Sequence, residues 1–137
     1  MTSFICTTCG VGHAPSATPP VHCLICEDER QYVNARGQSW TTLGELQTTH
    51  SNDIRECEPG LWGIGATPQI AIGQRALFIP QDGGGVLWDC TPLVTDAAVD
   101  HIKAHGGLRA IAISHPHFYS SMVDWSEAFG GIPIHIH

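Results

Sequence analysis

With six Lys and Arg against thirteen Asp and Glu, the 137-residue chain carries a formal charge of −7 and lacks the basic footprint that nucleic-acid binding requires. Its 42% hydrophobic content suits one ordinary globular domain or two small ones and excludes a disordered chain. No run of about 18 apolar residues occurs, and residues 1–20 show neither the basic nor the apolar stretch of a signal peptide, so a soluble, reducing, cytoplasmic setting is expected, with no membrane partner.

The strongest chemical signal lies at the start. Cys6-Thr7-Thr8-Cys9 is followed, thirteen residues on, by Cys23-Leu24-Ile25-Cys26. Two thiolates two residues apart grip one ion from a tight turn, and two such turns close a tetrahedral Cys₄ site. Gly10 follows the first pair where such a turn requires positive φ. The pattern predicts a structural Zn²⁺ at Cys6, Cys9, Cys23 and Cys26. A rubredoxin-like iron uses the same ligands, and two disulfides or four free thiols are the remaining alternatives. A closed site of this kind stabilises rather than catalyses. Cys57 and Cys90 are left over and are expected as free buried thiols.

The chain divides into a zinc ribbon over 1–32, a connecting strand, helix and linker over 33–58, and an α/β unit over 59–137. Glu27-Asp28-Glu29 reads as a solvated acidic face, and Gln31-Tyr32-Val33 as a short strand. Thr42-Leu43-Gly44-Glu45 is a capping-box pattern, so a helix is expected from there to about His50. The polar stretch Ser51 to Pro59 reads as linker. Ile70–Gly73 and Ala76–Ile79 read as one extended apolar segment. A glycine turn at 82–85 returns it through Val86–Cys90 to make a hairpin. A helix over Thr95–His105 is capped by Thr95, turns Ala98, Val99 and Ile102 inward, and stops at Gly106-Gly107. A buried strand over Leu108–Ser114, a loop over His115–Tyr119, a helix capped by the Ser121-x-x-Asp124 pattern and ended by Gly130-Gly131, and a final strand over Ile132–His137 complete the chain. Alternating strand and helix predict a mixed α/β sheet with crossover helices. Ligands gather at the carboxyl ends of strands in such sheets. Asp89, His115, His117 and His137 sit at those ends.

A hairpin ending in Trp88-Asp89, a helix, and then Ile113-Ser114-His115-Pro116-His117 at a strand end resembles the metallo-β-lactamase-fold hydrolases over about residues 60–137. The family signature is His-x-His-x-Asp-His. His115 and His117 match its first two histidines, whereas Tyr119 and Ser120 replace its Asp and last His. The resemblance implies the N-terminal half of an αββα sandwich, with Asp89 supporting a metal site. It also implies metal-dependent hydrolysis of a small-molecule substrate whose identity the sequence does not carry.

Three imidazoles and a water make an open zinc site. His115, His117 and His137, with Asp89 as fourth ligand or as hydrogen-bond acceptor, are therefore candidates for a second metal. The other reading is a non-catalytic zinc-ribbon module, or a hydrolase half that works only with its complement. A half-sandwich leaves apolar sheet surface open, so a homo-oligomer or a complementary half-domain is the expected partner.

Overall fold

A computed structural model describes residues 1–28 and 34–137 of the chain. The expected strand over Gln31–Val33 lies outside the described residues. Strand β1 (Phe4–Cys6) pairs antiparallel with β2 (Trp40–Thr42) in a two-stranded sheet. Helix α1 (Leu43–Thr49) starts at the predicted capping box. The Glu45 N–H donates to Thr42 Oγ1 (3.2 Å) while the Thr42 N–H donates to Glu45 Oε2 (2.9 Å), which satisfies two otherwise orphaned donors. His50 is its C-cap.

The main sheet has six strands in sequence order: β3 (Ser51–Glu58), β4 (Leu61–Thr67), β5 (Ala76–Ile79), β6 (Gly85–Trp88), β7 (Leu108–Ala112) and β8 (Ile134–His135). The pairs from β3 to β6 are antiparallel and the last two are parallel. Helices α2 (Asp96–Ala104) and α3 (Met122–Ala128) form the two crossovers. The mixed α/β class is as the alternation predicts.

Four local readings are corrected. Ser51 to Pro59 is not a linker but mostly β3. As an edge strand it pairs on one side only, so its charged residues face water and hide the strand signal. Ile70–Gly73 is a turn, with Ala71 at φ 50° and Gly73 at φ 77°, and only Ala76–Ile79 is strand. Strand β6 ends at Trp88 because Asp89 leaves the sheet at φ 63°. The last strand is confined to Ile134–His135.

Helix α2 follows the prediction. The Ala98 N–H donates to Thr95 Oγ1 at 3.3 Å, and Ala98 and Ile102, one turn apart, are fully buried. Both crossovers cover one face of the sheet, where Ile64, Phe78, Leu87, Ile111 and Trp125 make the core. The opposite face is different. Register places Leu77, Trp88 and Ala112 in one row and Ile79, Val86 and Ala110 in another. None of the six is buried, and Trp88 is 44% exposed. Among the described residues no helix is long and apolar enough to cross a membrane.

Candidate metal centre

The two cysteine turns are built by backbone hydrogen bonds. The Gly10 N–H donates to the Cys6 carbonyl at 2.8 Å, and the Glu27 N–H to the Cys23 carbonyl at 3.1 Å. Gly10 has φ 78°, and a Cβ there would lie 2.6 Å from Pro92 Cγ. Conformation and space therefore both demand glycine. The turns bring all four sulfurs within 4.8 Å of one another. Cys6 Sγ lies 3.6 Å from Cys26 Sγ, and Cys9 Sγ 3.6 Å from Cys23 Sγ. A tetrahedron with Zn–S bonds of ~2.3 Å has edges of ~3.8 Å, so the arrangement fits a metal tetrathiolate. All six cysteines are free, and the 3.6 Å separations exceed the ~2.05 Å of a disulfide bond.

Cys6, Cys9 and Cys23 are buried and Cys26 is half-buried. Hydrogen bonds from the Cys23 and Cys9 thiols push the Cys6 proton affinity down. Gln38 Nε2 donates to the same sulfur at 3.0 Å. Hydrogen bonding with Cys23 and Cys6 drives Cys9 the other way, and burial lifts Cys26 to about 12. A divalent cation among the sulfurs supplies the charge that lets all four sit as thiolates. The donor set suits zinc and iron alike.

The centre is not an appendage. Buried Gln74 donates through Nε2 to the Cys9 carbonyl and, at 3.0 Å, to the His117 carbonyl. The Gly12 N–H donates to the Ser120 carbonyl at 2.9 Å, and Tyr119 packs on the cysteine cluster. Gln38 and Gln74 escape sequence reasoning. Neither belongs to a motif, and Gln74 lies 65 residues from Cys9.

The remaining candidates occupy a second region. Buried Asp89 accepts from the Ser114 N–H (2.8 Å) and from Ser114 Oγ at both carboxylate oxygens (2.9 Å each). It thereby pins the residue that precedes His115. The His115 and His117 rings stack with centroids 4.5 Å apart, and His115 Nδ1 accepts from the His117 N–H at 3.2 Å. His137 is exposed, two residues beyond β8. Among the described residues, the four cysteines form the one group of three or more close ligand atoms, and Asp89, His115, His117 and His137 do not assemble into another.

Other readings shift. Ser121 stands at the N-cap of α3, but its side chain makes no cap hydrogen bond. Ser121 Oγ donates instead to the Pro92 carbonyl at 2.7 Å, a buried acceptor that the capping pattern does not reveal. Cys57 is exposed rather than buried, because it lies on the edge strand, whereas Cys90 is fully buried and burial raises its thiol pKa. His22 pairs with Glu27 at 3.3 Å on the surface.

No family model matches the chain. It is 48% identical over 139 aligned positions to the uncharacterized protein YmaE of Bacillus subtilis (strain 168), covering 100% of this chain and 50% of that one. The chain thus spans about half the length of that relative. Among solved structures it is similar to the metallo-β-lactamase DIM-1 exposed to ceftazidime, with a TM-score of 0.48, 14% identity, and coverage of 63% of this chain and 42% of the other. It is also similar to an NDM_FIM-1-like metallo-β-lactamase from Erythrobacter litoralis in its mono-zinc form. There the TM-score is 0.45 and the identity 15%, with 63% and 44% covered.

Proposed function

We propose that this chain is a zinc-binding α/β module whose Cys₄ centre holds Zn²⁺ as a structural ion and whose open sheet face takes a second sheet layer. The observation that carries the reading is the spacing of the four sulfurs, 3.6 Å across two pairs and within 4.8 Å overall. A closed tetrathiolate leaves no coordination position for substrate, so the metal acts on folding. Free thiols at Cys6, Cys9, Cys23 and Cys26 suit a reducing, cytoplasmic compartment. The apolar rows of Leu77, Trp88 and Ala112 and of Ile79, Val86 and Ala110 are the docking face. Its occupant is a complementary half-domain or, failing that, a second copy of the chain.

A second reading, a metal-dependent hydrolase by resemblance, rests on His115 and His117. Their rings stack on one loop just past β7, the kind of strand end where such sites form. A metal there would activate water against a carbonyl substrate.

Elemental analysis of the chain and of its His115→Ala/His117→Ala variant, each exposed to zinc and then desalted, decides between them. One zinc per chain in both supports the module. Two metals falling to one in the variant make the hydrolase reading the better one, and no zinc in either sinks both. Light scattering after size exclusion tests the docking face. Trp88→Asp should abolish self-association or capture of the complementary half, and unchanged association would remove that face from the interface.

A further inference from the structure

A cleft of about 430 Å³ lies where the N-terminal ribbon meets the start of α3, apart from the sulfurs and from the His115 and His117 rings. Ile5, Val11, Leu43 and Met122 give it apolar walls. Three polar features line it. Ser120 lines the cleft, is only 3% exposed, and its hydroxyl has no hydrogen-bond partner in the protein. Its backbone sits at φ 43°, a strained conformation for a residue with a Cβ. The neighbouring Ser121 hydroxyl, by contrast, is satisfied by Pro92. His13 also lines the cleft, and its buried Nε2 is unpartnered too, with the ring held edge-on against Trp40 at 4.9 Å. Asp124 and Glu127, one turn apart on α3, bring two carboxylates to the same cleft, and no Lys or Arg lines it.

We propose that this cleft binds a small primary amine with a hydrocarbon body. An ammonium group has three donors and no acceptor. The cleft offers it a carboxylate at Asp124 or Glu127, and the unpartnered Ser120 hydroxyl and His13 Nε2 stand buried in the cleft wall. The hydrocarbon lies along Ile5, Val11, Leu43 and Met122. Burial and the charge of Glu127 both hold the Asp124 carboxyl above its ordinary pKa. A bound cation relieves that strain on the ionised form. An anion of the same shape meets two carboxylates and no counter-charge.

The test titrates the full zinc-loaded chain, labelled with ¹⁵N, with hexylamine, and in parallel with hexanoate and 1-hexanol. Hexylamine should give saturable amide shifts confined to Val11, His13, Ser120, Asp124 and their neighbours. Hexanoate should give none, and hexanol should bind about tenfold more weakly. Asp124→Asn/Glu127→Gln should weaken hexylamine about tenfold. Ser120→Gly, which the positive φ accommodates, should weaken it severalfold while the rest of the spectrum stays in place. Equal binding of hexanoate and hexylamine, shifts that map elsewhere, or wild-type affinity in both variants would each overturn the proposal.

Discussion

Gly10→Ala separates backbone strain from steric conflict at the metal-binding turn. The residue holds φ 78°, a region that costs a Cβ-bearing residue about 1–2 kcal/mol. The added Cβ would also lie 2.6 Å from Pro92 Cγ and 3.2 Å from Gln74 Nε2. A proline ring cannot swing aside, so the turn or the ring must move, at the ~1–3 kcal/mol typical of overpacking. The two costs together reach about 2–5 kcal/mol. Gly60→Ala is the matched control. It has φ 77° with nothing within 4 Å of the new Cβ, so it carries the strain alone. Gly44→Ala is the opposite control. Gly44 lies in α1 with open space around it, and alanine there should stabilise by about 0.5–1 kcal/mol. Urea unfolding of the zinc-loaded proteins measures all three as shifts in midpoint at constant slope. A chelator competition should also show weaker zinc retention for Gly10→Ala, but not for the controls. If Gly10→Ala loses no more stability than Gly60→Ala, the contact with Pro92 exerts no force and the reasoning fails.

Other consequences are as open to measurement. Cys9→Ser should drop zinc to well below one per chain, and chelation of the wild type should lower its Tm; a Tm indifferent to chelator would deny the ion any structural part. Trp125 is fully buried and its Nε1 donates to the Thr91 carbonyl at 3.0 Å. Trp125→Phe leaves that acceptor unpaired beside a small cavity and should cost roughly 2–4 kcal/mol by urea unfolding. His101 packs on Trp62 and His105, with centroids 4.4 Å away in each case, and burial, then the His105 charge, lower its pKa. The unfolded chain therefore takes this proton first, so stability present above the ordinary imidazole pKa of ~6.5 is lost as pH falls toward the folded value. Tm measured between pH 7.5 and 5.5 should decline less steeply in His101→Phe than in the wild type.

What was legible in the sequence was whatever acts locally. A metal turn is encoded within four residues, so Cys6, Cys9, Cys23 and Cys26 announce themselves. Helix starts are encoded as compactly, and Thr42 with Glu45, and Thr95, cap where expected. The edge strand Ser51–Glu58 is hidden in the sequence because an edge needs only one hydrogen-bonded side and tolerates charge. The run Ile70–Gly73 looks like strand in the sequence, but its apolar residues form a turn. The supports of the site were beyond reach. Gln74 meets Cys9 and His117 across 65 and 43 residues, and nothing in the composition around it marks that meeting. The histidine loop carries two residues of a familiar pattern, yet Asp89 is engaged by Ser114 and His137 lies beyond the sheet. Residue identity alone did not foretell where those groups stand relative to one another.

The position of Gln74 in the chain fixes when its amide becomes available during synthesis. Forty-eight positions separate Cys26 from Gln74. At about ten residues per second, translation takes roughly five seconds to cross that gap. The cysteines therefore leave the ribosome well before the side chain that will brace Cys9, and before β4 and β5 exist to hold that side chain. For those seconds the nascent ribbon depends on an ion, or on a reducing environment, to keep its four sulfurs from being oxidised. A chain that captures an ion early hands the sheet a finished surface to fold against, whereas one that captures it late must build both together.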